Sequence, residues 1–390
     1  MLGRRRTRLT YEGWCFVLVL ALVLVRASMK DINLMLAFAG MMAGALYFNW
    51  FALRTMFRRL KITRRLPESV STGDIAVVEL EAAARHQGAA IEIEDSFQLA
   101  GSTRPEDRGL GIAIFPQVAR GKPAQAEYRI RFGRRGRYEF GTIRASSRFP
   151  FRLISRAISL RQPGQLVVLP RLGRLTSRWT NVLRGPEPGP RRILQRQGLT
   201  EGDFYGMRDW RAGDSRRWIH WRTSARRGKL MVRQFEQPRS ENLTLLIDLW
   251  QPASPARCDE ETVELAVSFA ATIVADACRR GGCQLAVIIA GRELTSLSGG
   301  ASRALARDVL QQLAVAEATS SSPSSAMIDR GLNDGAAGGR IVLVSTRSDR
   351  PHEAEHLAAD SGSPQQRGAL ARMLRIDAGS NELFEYFQMD

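Results

Sequence analysis

The chain has 390 residues, 44% hydrophobic and 25% charged, a soluble-like balance that excludes wholesale disorder, a collagen-like fibre and a polytopic transporter. A formal charge of +18 points first to nucleic acid. Yet only Lys30, Lys61, Lys122 and Lys229 are lysine, and so strong an arginine skew also follows from codon usage in a GC-rich genome. Charge therefore has to be located before it is interpreted.

The N-terminus departs from the average. "RRRTR" at 4–8 precedes "WCFVLVLALVLV" at 14–25, and a polar break leads to "LMLAFAGMMAGALYFNWFAL" at 34–53. The second run alone can cross a hydrocarbon core of about 30 Å. No small-residue cleavage site follows the first, so a two-helix transmembrane hairpin is predicted, with helices over about 11–28 and 33–53 within a 1–61 segment. Arg4, Arg5, Arg6 and Arg8 precede it, and Arg54, Arg58, Arg59, Lys61, Arg64 and Arg65 follow. The loop holds only Arg26, Lys30 and Asp31. The positive-inside rule then puts both ends in the cytoplasm, giving a multi-pass protein of the cell inner membrane with cytoplasmic soluble domains. Trp14, Tyr47 and Trp50 fall near the headgroup layer.

Residues 62–170 alternate apolar and polar with period two in "DIAVVELEA", "IEIEDSF", "GLGIAIF", "EYRIRF", "RYEFGTIRAS" and "QLVVLP", which predicts a β-sandwich. Residues 171–242 form an Arg/Trp-rich linker. Residues 243–390 turn to α/β: "NLTLLID" and "CQLAVIIA" are buried strands around the amphipathic helix "DEETVELAVSFAATIVADACRR". Its stripe is Val263, Ala266, Val267, Ala270, Ile273, Val274 and Ala277, and Gly281–Gly282 ends it. "SRALARDVLQQLAVAE" is a second helix and "GRIVLVST" a third strand, implying a mainly parallel sheet. "ATSSSPSS" and "GLNDGAAGG" read as loops. Cys15, Cys258, Cys278 and Cys283 form no CxxC pair and read as buried free thiols.

The stretch 201–236, "EGDFYGMRDWRAGDSRRWIHWRTSARRGKLMVRQFE", carries the most information. It resembles the core pattern of the DUF58 family at Phe204, Arg208, Gly213, Asp214, Arg216, Ile219, Trp221, Ser224, Ala225, Arg226, Leu230, Val232, Arg233, Phe235 and Glu236. Asp203 replaces the usual Glu, Trp210 the usual Tyr, and His220 the usual Asp. The resemblance implies a membrane hairpin, a β-rich segment and a von Willebrand A-like α/β domain. It also implies association with MoxR-type AAA+ ATPases in assembly or maturation of other proteins. From the residues themselves, alternating arginines and carboxylates can form forks that clamp two domains, and Trp210, Trp218 and Trp221 offer large apolar area for docking. Both readings stand at this point.

Other motifs are weak. An A-type metal site needs oxygens in D-x-S-x-S, and Asp248 is followed by Trp250 and Pro252 in the serine positions. "HEAEH" at 352–356 formally matches a zinc protease motif, with Glu382 or Glu385 as a distant third ligand, but sits in a polar context. Ser224, His220 and Asp214 are close in sequence without a nucleophile elbow. No Walker A pattern occurs, so any ATPase is a partner. The expected function is a non-enzymatic, membrane-anchored scaffold or adaptor without cofactor, metal or nucleic-acid partner. The alternatives are a metal-dependent ligand-binding A-like domain and an arginine-rich nucleic-acid binder. Net charge divides as +10 over 1–65, +4 over 66–170, +10 over 171–242 and −6 over 243–390. The basic charge thus belongs to the membrane anchor and the family motif, and the acidic terminal domain disfavours nucleic acid.

Overall fold

A computed structural model describes residues 5–30, 33–184, 204–211, 214–235, 242–321, 324–334, 339–347 and 373–389. The chain divides into two units, Met1–Leu172 with Leu310–Ala316, and Gly173–Val309 with Glu317–Asp390.

In the first unit a strand, β1 (Arg5–Leu9), precedes the helices α1 (Tyr11–Lys30) and α2 (Asn33–Met56). Leu18, Leu22, Val25, Leu34, Leu36 and Met41 are all exposed on these helices. A core helix of a soluble protein buries such residues. Both helices outrun their expected ends, and the reason is visible for α2. Asn49, Leu53 and Met56 are buried, so its last turns are a packed helix continuing an apolar one.

The strands follow as β2 (Lys61–Arg65), β3 (Val70–Ser71), β4 (Ile75–Ala83), β5 (Gly88–Leu99), β6 (Arg108–Val118), β7 (Ala124–Arg131), β8 (Gly136–Ser147) and β9 (Ile154–Leu169). One sheet runs β1-β9-β8-β5-β6 with β3 also on β9, and a second runs β2-β4-β7. The period-two pattern gives each strand one inward face: Ala76, Val78, Leu80 and Ala82 of β4 are buried, and the residues between them are not. Ile91, Ile93, Phe115 and Ile143 of the larger sheet share a core with Ile62, Val78 and Leu80 of the smaller. Leu53, Met56, Phe57 and Leu60, from the end of α2 onward, join that core. The hairpin and the β-rich region, distinct in sequence, are therefore one unit.

The arginine-rich N-terminus is more than a charge signal. β1 pairs antiparallel with β9 from Arg5↔Ile158 to Leu9↔Ile154. The segment before α1 and the domain after α2 thus lie in one sheet. Gly13 comes so close to the same region that an added Cβ would sit 2.0 Å from the Leu153 carbonyl oxygen.

Between the two sheets lies a charged cluster that alternation alone did not reveal. Asp95 accepts from Arg64 Nε and Nη2, each at 2.8 Å, and from Tyr128 Oη at 2.7 Å. Arg64 Nη1 donates to the Gln162 carbonyl at 3.0 Å, and the guanidinium lies 4.9 Å over the Phe140 ring. Burial pushes the Asp95 carboxyl above its ordinary range, opposed by the Tyr128 hydroxyl and Arg64. Burial, and then the Asp95 charge, raise the Tyr128 phenol.

In the second unit come β10 (Arg174–Leu175), α3 (Ser177–Arg184), β11 (Phe204–Asp209), α4 (Trp221–Arg227), β12 (Met231–Phe235), β13 (Leu243–Asp248), α5 (Arg257–Arg280), β14 (Gln284–Ala290), β15 (Leu294–Gly300) and α6 (Arg303–Val315). α6 belongs to this unit up to Val309. α7 (Ser324–Asp334), β16 (Arg340–Ser345), β17 (Leu374–Asp377), α8 (Leu383–Tyr386) and β18 (Phe387–Gln388) complete it. The main sheet runs β15-β14-β13-β16-β17, parallel except for β15. β13 is buried at every residue, as a central parallel strand should be. The α5 stripe is buried as its spacing predicts, and Gly281 ends the helix at φ 67°. Trp179 of α3 packs edge-on to Phe269 of α5, so part of the expected linker is core.

Two expectations need correction, and one strand is additional. Parts of both expected loops form α7, because Met327 and Ile328 bury against the sheet and outweigh the serines and glycine around them. The strand β15 was not foreseen, since "LTSLSGG" has too few apolar residues to announce an edge strand. Cys15 and Cys258 are exposed, Cys283 is half-buried, and only Cys278 is buried.

Candidate docking face of the Arg/Trp motif

The motif folds as a small antiparallel pair, β11 and β12, with the connecting segment wound into a turn and α4. Phe204 pairs with Phe235, Met207 with Arg233, Arg208 with Val232 and Asp209 with Met231. Ile219, Met231 and Val232 supply the buried apolar part.

One arginine–carboxylate fork fixes the loop after β11. Arg208 Nη1 and Nη2 donate to the two Asp214 oxygens at 2.6 Å each. Asp214 also accepts from the Arg211 amide at 2.9 Å. Its carbonyl accepts from Trp210 Nε1 at 3.3 Å, and the Trp210 amide donates to Leu230 at 2.8 Å. The Arg208 hydrogen bonds hold the Asp214 carboxyl below its usual range, and the same contact raises the Arg208 guanidinium.

Ser224 and His220 form the second support. Ser224 Oγ donates to the His220 carbonyl at 3.0 Å and accepts from the Met231 amide at 2.8 Å. His220 Nδ1 accepts from the Thr223 amide at 3.2 Å, capping α4. Ser224 Oγ is thus bonded to the backbone of His220 and of Met231, and the two residues hold the turn that leads into α4. Gly228 ends α4 at φ 65°, the left-handed conformation that a C-terminal cap requires.

These bonds leave several side chains of the motif exposed. Trp221 is 66% exposed, and Arg216, Arg217, Arg222, Arg226, Arg227 and Arg233 are exposed with it. Ala225 is exposed and Leu230 is 44% exposed. Among the described residues the Arg208–Asp214 fork forms, and Arg216, Arg226 and Arg233 are exposed. Asp203, Gly213 and Glu236 lie outside the described residues, as do the side chains of Phe204 and Phe235.

The degenerate metal position is filled by protein. Asp248, buried at the end of β13, accepts from Ser345 Oγ at 3.2 Å and has Arg347 Nε at 3.1 Å. The Arg347 guanidinium lies 5.8 Å from the centre of the Trp250 ring. Trp250 Nε1 donates to Ser320 O at 3.0 Å, and Pro252 is half-buried. An arginine thus pairs with the carboxylate that a cation would need, and the side chains of Trp250 and Pro252 offer it no oxygen. Among the described residues no three His, Cys, Asp or Glu side chains group as metal ligands. "HEAEH" at 352–356 lies outside them, and Glu385 pairs with Arg178 at 2.6 Å.

Residues 206–336 match the family model described as "Protein of unknown function DUF58". The "Uncharacterized protein YeaD" of Bacillus subtilis (strain 168) is 32% identical over 120 residues, 30% of this chain and 28% of that protein. The match therefore spans well under a third of that relative's length. A solved GH20 exo-β-N-acetylglucosaminidase from Vibrio harveyi, in complex with N-acetylglucosamine, aligns at 10% identity. That alignment covers 54% of this chain and 45% of the enzyme, with a TM-score of 0.16, and carries no argument about fold.

Proposed function

We propose, for a chain that carries a DUF58-family region over residues 206–336, the role of a membrane-anchored, non-enzymatic scaffold that docks a protein partner on the Trp221 face. The observation that carries the reading is an exposed tryptophan, Trp221, at the start of a helix capped by His220, in a motif whose Arg216, Arg217, Arg222, Arg226, Arg227 and Arg233 are exposed as well. Trp and Arg are the side chains enriched at binding hot spots. A fixed turn also loses little entropy on binding. The partner should present an acidic surface with an apolar slot, and a MoxR-type AAA+ ATPase is the class we assign to it.

Under this reading the two-sheet region is a β-sandwich and the parallel sheet a von Willebrand A-like domain. The exposed apolar hairpin spans the inner membrane. β1 and β9 share a sheet, so both flanks of the hairpin must lie on one side of it, and the flanking arginines favour the cytoplasmic side. The Arg347–Asp248 pair argues against the alternative of a metal-dependent A-like site.

The test uses full-length protein in detergent-solubilised membranes, comparing wild type with Trp221→Ala combined with Arg222→Glu and Arg226→Glu. Co-purification of an AAA+ ATPase with the wild type and its loss from the variant is the expected result. Recovery of no AAA+ ATPase, or equal recovery by both proteins, overturns the reading. Capture of nucleic acid with a steep salt dependence would favour the arginine-driven alternative instead.

A further inference from the structure

Two places on the hairpin hold the same short loop. At the start of α1, the Thr10 hydroxyl donates to the carbonyls of Arg152 and Leu153 at 2.6 and 2.9 Å, and the Thr10 amide donates to Leu153 at 3.1 Å. Late in α2, Asn49, fully buried, donates from Nδ2 to the Phe149 carbonyl at 3.3 Å and accepts from the Ile154 amide at 3.0 Å. The loop is also braced within itself: the Arg152 amide donates to the Arg148 carbonyl at 2.8 Å, and the Phe149 amide to Ser147 Oγ at 3.2 Å.

This bracing sets a height. From Tyr11 to Lys30, α1 is about 30 Å long at 1.5 Å per residue. From Asn33 to the Asn49 anchor, α2 is about 25 Å. A hydrocarbon core is about 30 Å thick. If the hairpin spans it, no helix is left over between the membrane and the loop, so the loop lies at the hydrocarbon boundary.

The side chains fit that level. Phe149 is 48% and Phe151 50% exposed, costly positions for two phenylalanines facing water. Phe151 packs 6.1 Å from Phe48 of α2, and Tyr47 lies 6.0 Å from Trp50, which carries the Arg54 guanidinium 5.2 Å over its ring. Aromatic rings with arginines beside them are the side chains that favour the headgroup layer. Arg148 and Arg152 flank the loop and are exposed.

We propose that Arg148–Arg152 is a membrane-contact loop, with Phe149 and Phe151 inserted at the boundary of an anionic leaflet and Arg148 and Arg152 against lipid phosphates. It rests on the membrane reading above and adds to it that the β-rich domain is itself seated on the bilayer, not tethered beneath it.

The test places one fluorescent label on the full chain, its four cysteines replaced, at Phe151→Cys, Leu22→Cys or Gly133→Cys. Leu22 lies mid-way along α1. Gly133 lies beyond the far end of β8, whose twelve residues span about 40 Å. The protein is reconstituted in phosphatidylcholine–phosphatidylglycerol vesicles containing lipids that carry a nitroxide quencher just below the headgroup or deep in the acyl chain. The expected result is deep quenching at Leu22→Cys, loss of most fluorescence with the shallow quencher at Phe151→Cys, and none at Gly133→Cys. Quenching at Leu22→Cys, with Phe151→Cys no more quenched than Gly133→Cys, overturns the loop proposal and leaves the hairpin in the membrane. No quenching at Leu22→Cys overturns the membrane reading and this proposal together.

Discussion

Two arginine–aspartate forks of the same chemistry sit in different surroundings. Arg64–Asp95 has both side chains almost fully buried, at 3% and 0% exposure. Arg208–Asp214 is shorter, at 2.6 Å, yet stands at 21% and 18%. The buried fork gains strength from low dielectric but had to shed its water, so its net contribution is small while the cost of breaking it is large. The exposed fork loses little on breaking because water replaces each partner. Chemistry alone therefore does not say what a fork is for; its surroundings do. The first joins two sheets in the core, and the second sets the shape of the turn after β11.

The largest effect should come from breaking the buried fork. Asp95→Ala leaves the Arg64 guanidinium and the Tyr128 hydroxyl without their carboxylate. Removing one member of a buried pair costs about 3–5 kcal/mol. Denaturant unfolding of the detergent-solubilised chain should show a loss of that size, and loss below about 1 kcal/mol would mean that water reaches the cluster. Replacing Arg64 by Met together with Asp95→Leu and Tyr128→Phe should recover most of it, since no buried charge then remains.

Why the first fork was hidden in the sequence and the second was not follows from the same contrast. Asp95 stands in "IEIEDSF", where period-two alternation puts it on the inward face with Ile91 and Ile93, and a carboxylate there has no local signal naming Arg64 or Tyr128. Its partners come from two other strands, and pairing across sheets is tertiary information. Arg208 and Asp214 are six residues apart in a recognisable motif, so that fork was within reach, but the wider set of forks was not. Arg216, Arg226 and Arg233 alternate with acids along the chain, yet they stand exposed on the turn before α4, on α4 and on β12. The α5 stripe and the buried β13 were legible because burial repeats with helix and strand period. The pairing of β1 with β9, about 150 residues apart, was not, since arginine-rich "RRTRL" looks like a topogenic signal and carries little apolar pattern.

A middle-sized effect belongs to Ser224. It is buried, and its hydroxyl is the partner of the Met231 amide at the start of β12. Ser224→Ala strands that amide, a loss of about 1–3 kcal/mol. Ser224→Thr keeps the hydroxyl and should lose less. The ordering can be read by hydrogen exchange at Met231, which should accelerate in Ser224→Ala while exchange in β4 stays unchanged. Faster exchange in both places would mean that the serine supports more than its own turn.

The smallest stability effect, and the one that separates the two forks most sharply, is that of Asp214→Asn. The Asp214 carboxyl is held below its ordinary range, chiefly by Arg208, so the folded state favours the ionised form more than the unfolded state does. The stabilisation is therefore present above the unfolded carboxylate value and disappears as pH falls through the lower folded value. The fork is partly exposed, so the difference between wild type and Asp214→Asn should be about 1 kcal/mol near neutrality. It should shrink toward zero on acidification below about pH 4, near the free aspartate value. Thermal unfolding of both proteins across that range measures it. Partner binding should respond more than stability does, because the loop bearing the Arg211 amide and the Trp210 indole loses its fixed geometry while the core keeps its own. If Asp214→Asn instead cost as much as Asp95→Ala, the exposed fork would be part of the core and the Trp221 face would lose its claim as a surface shaped for docking.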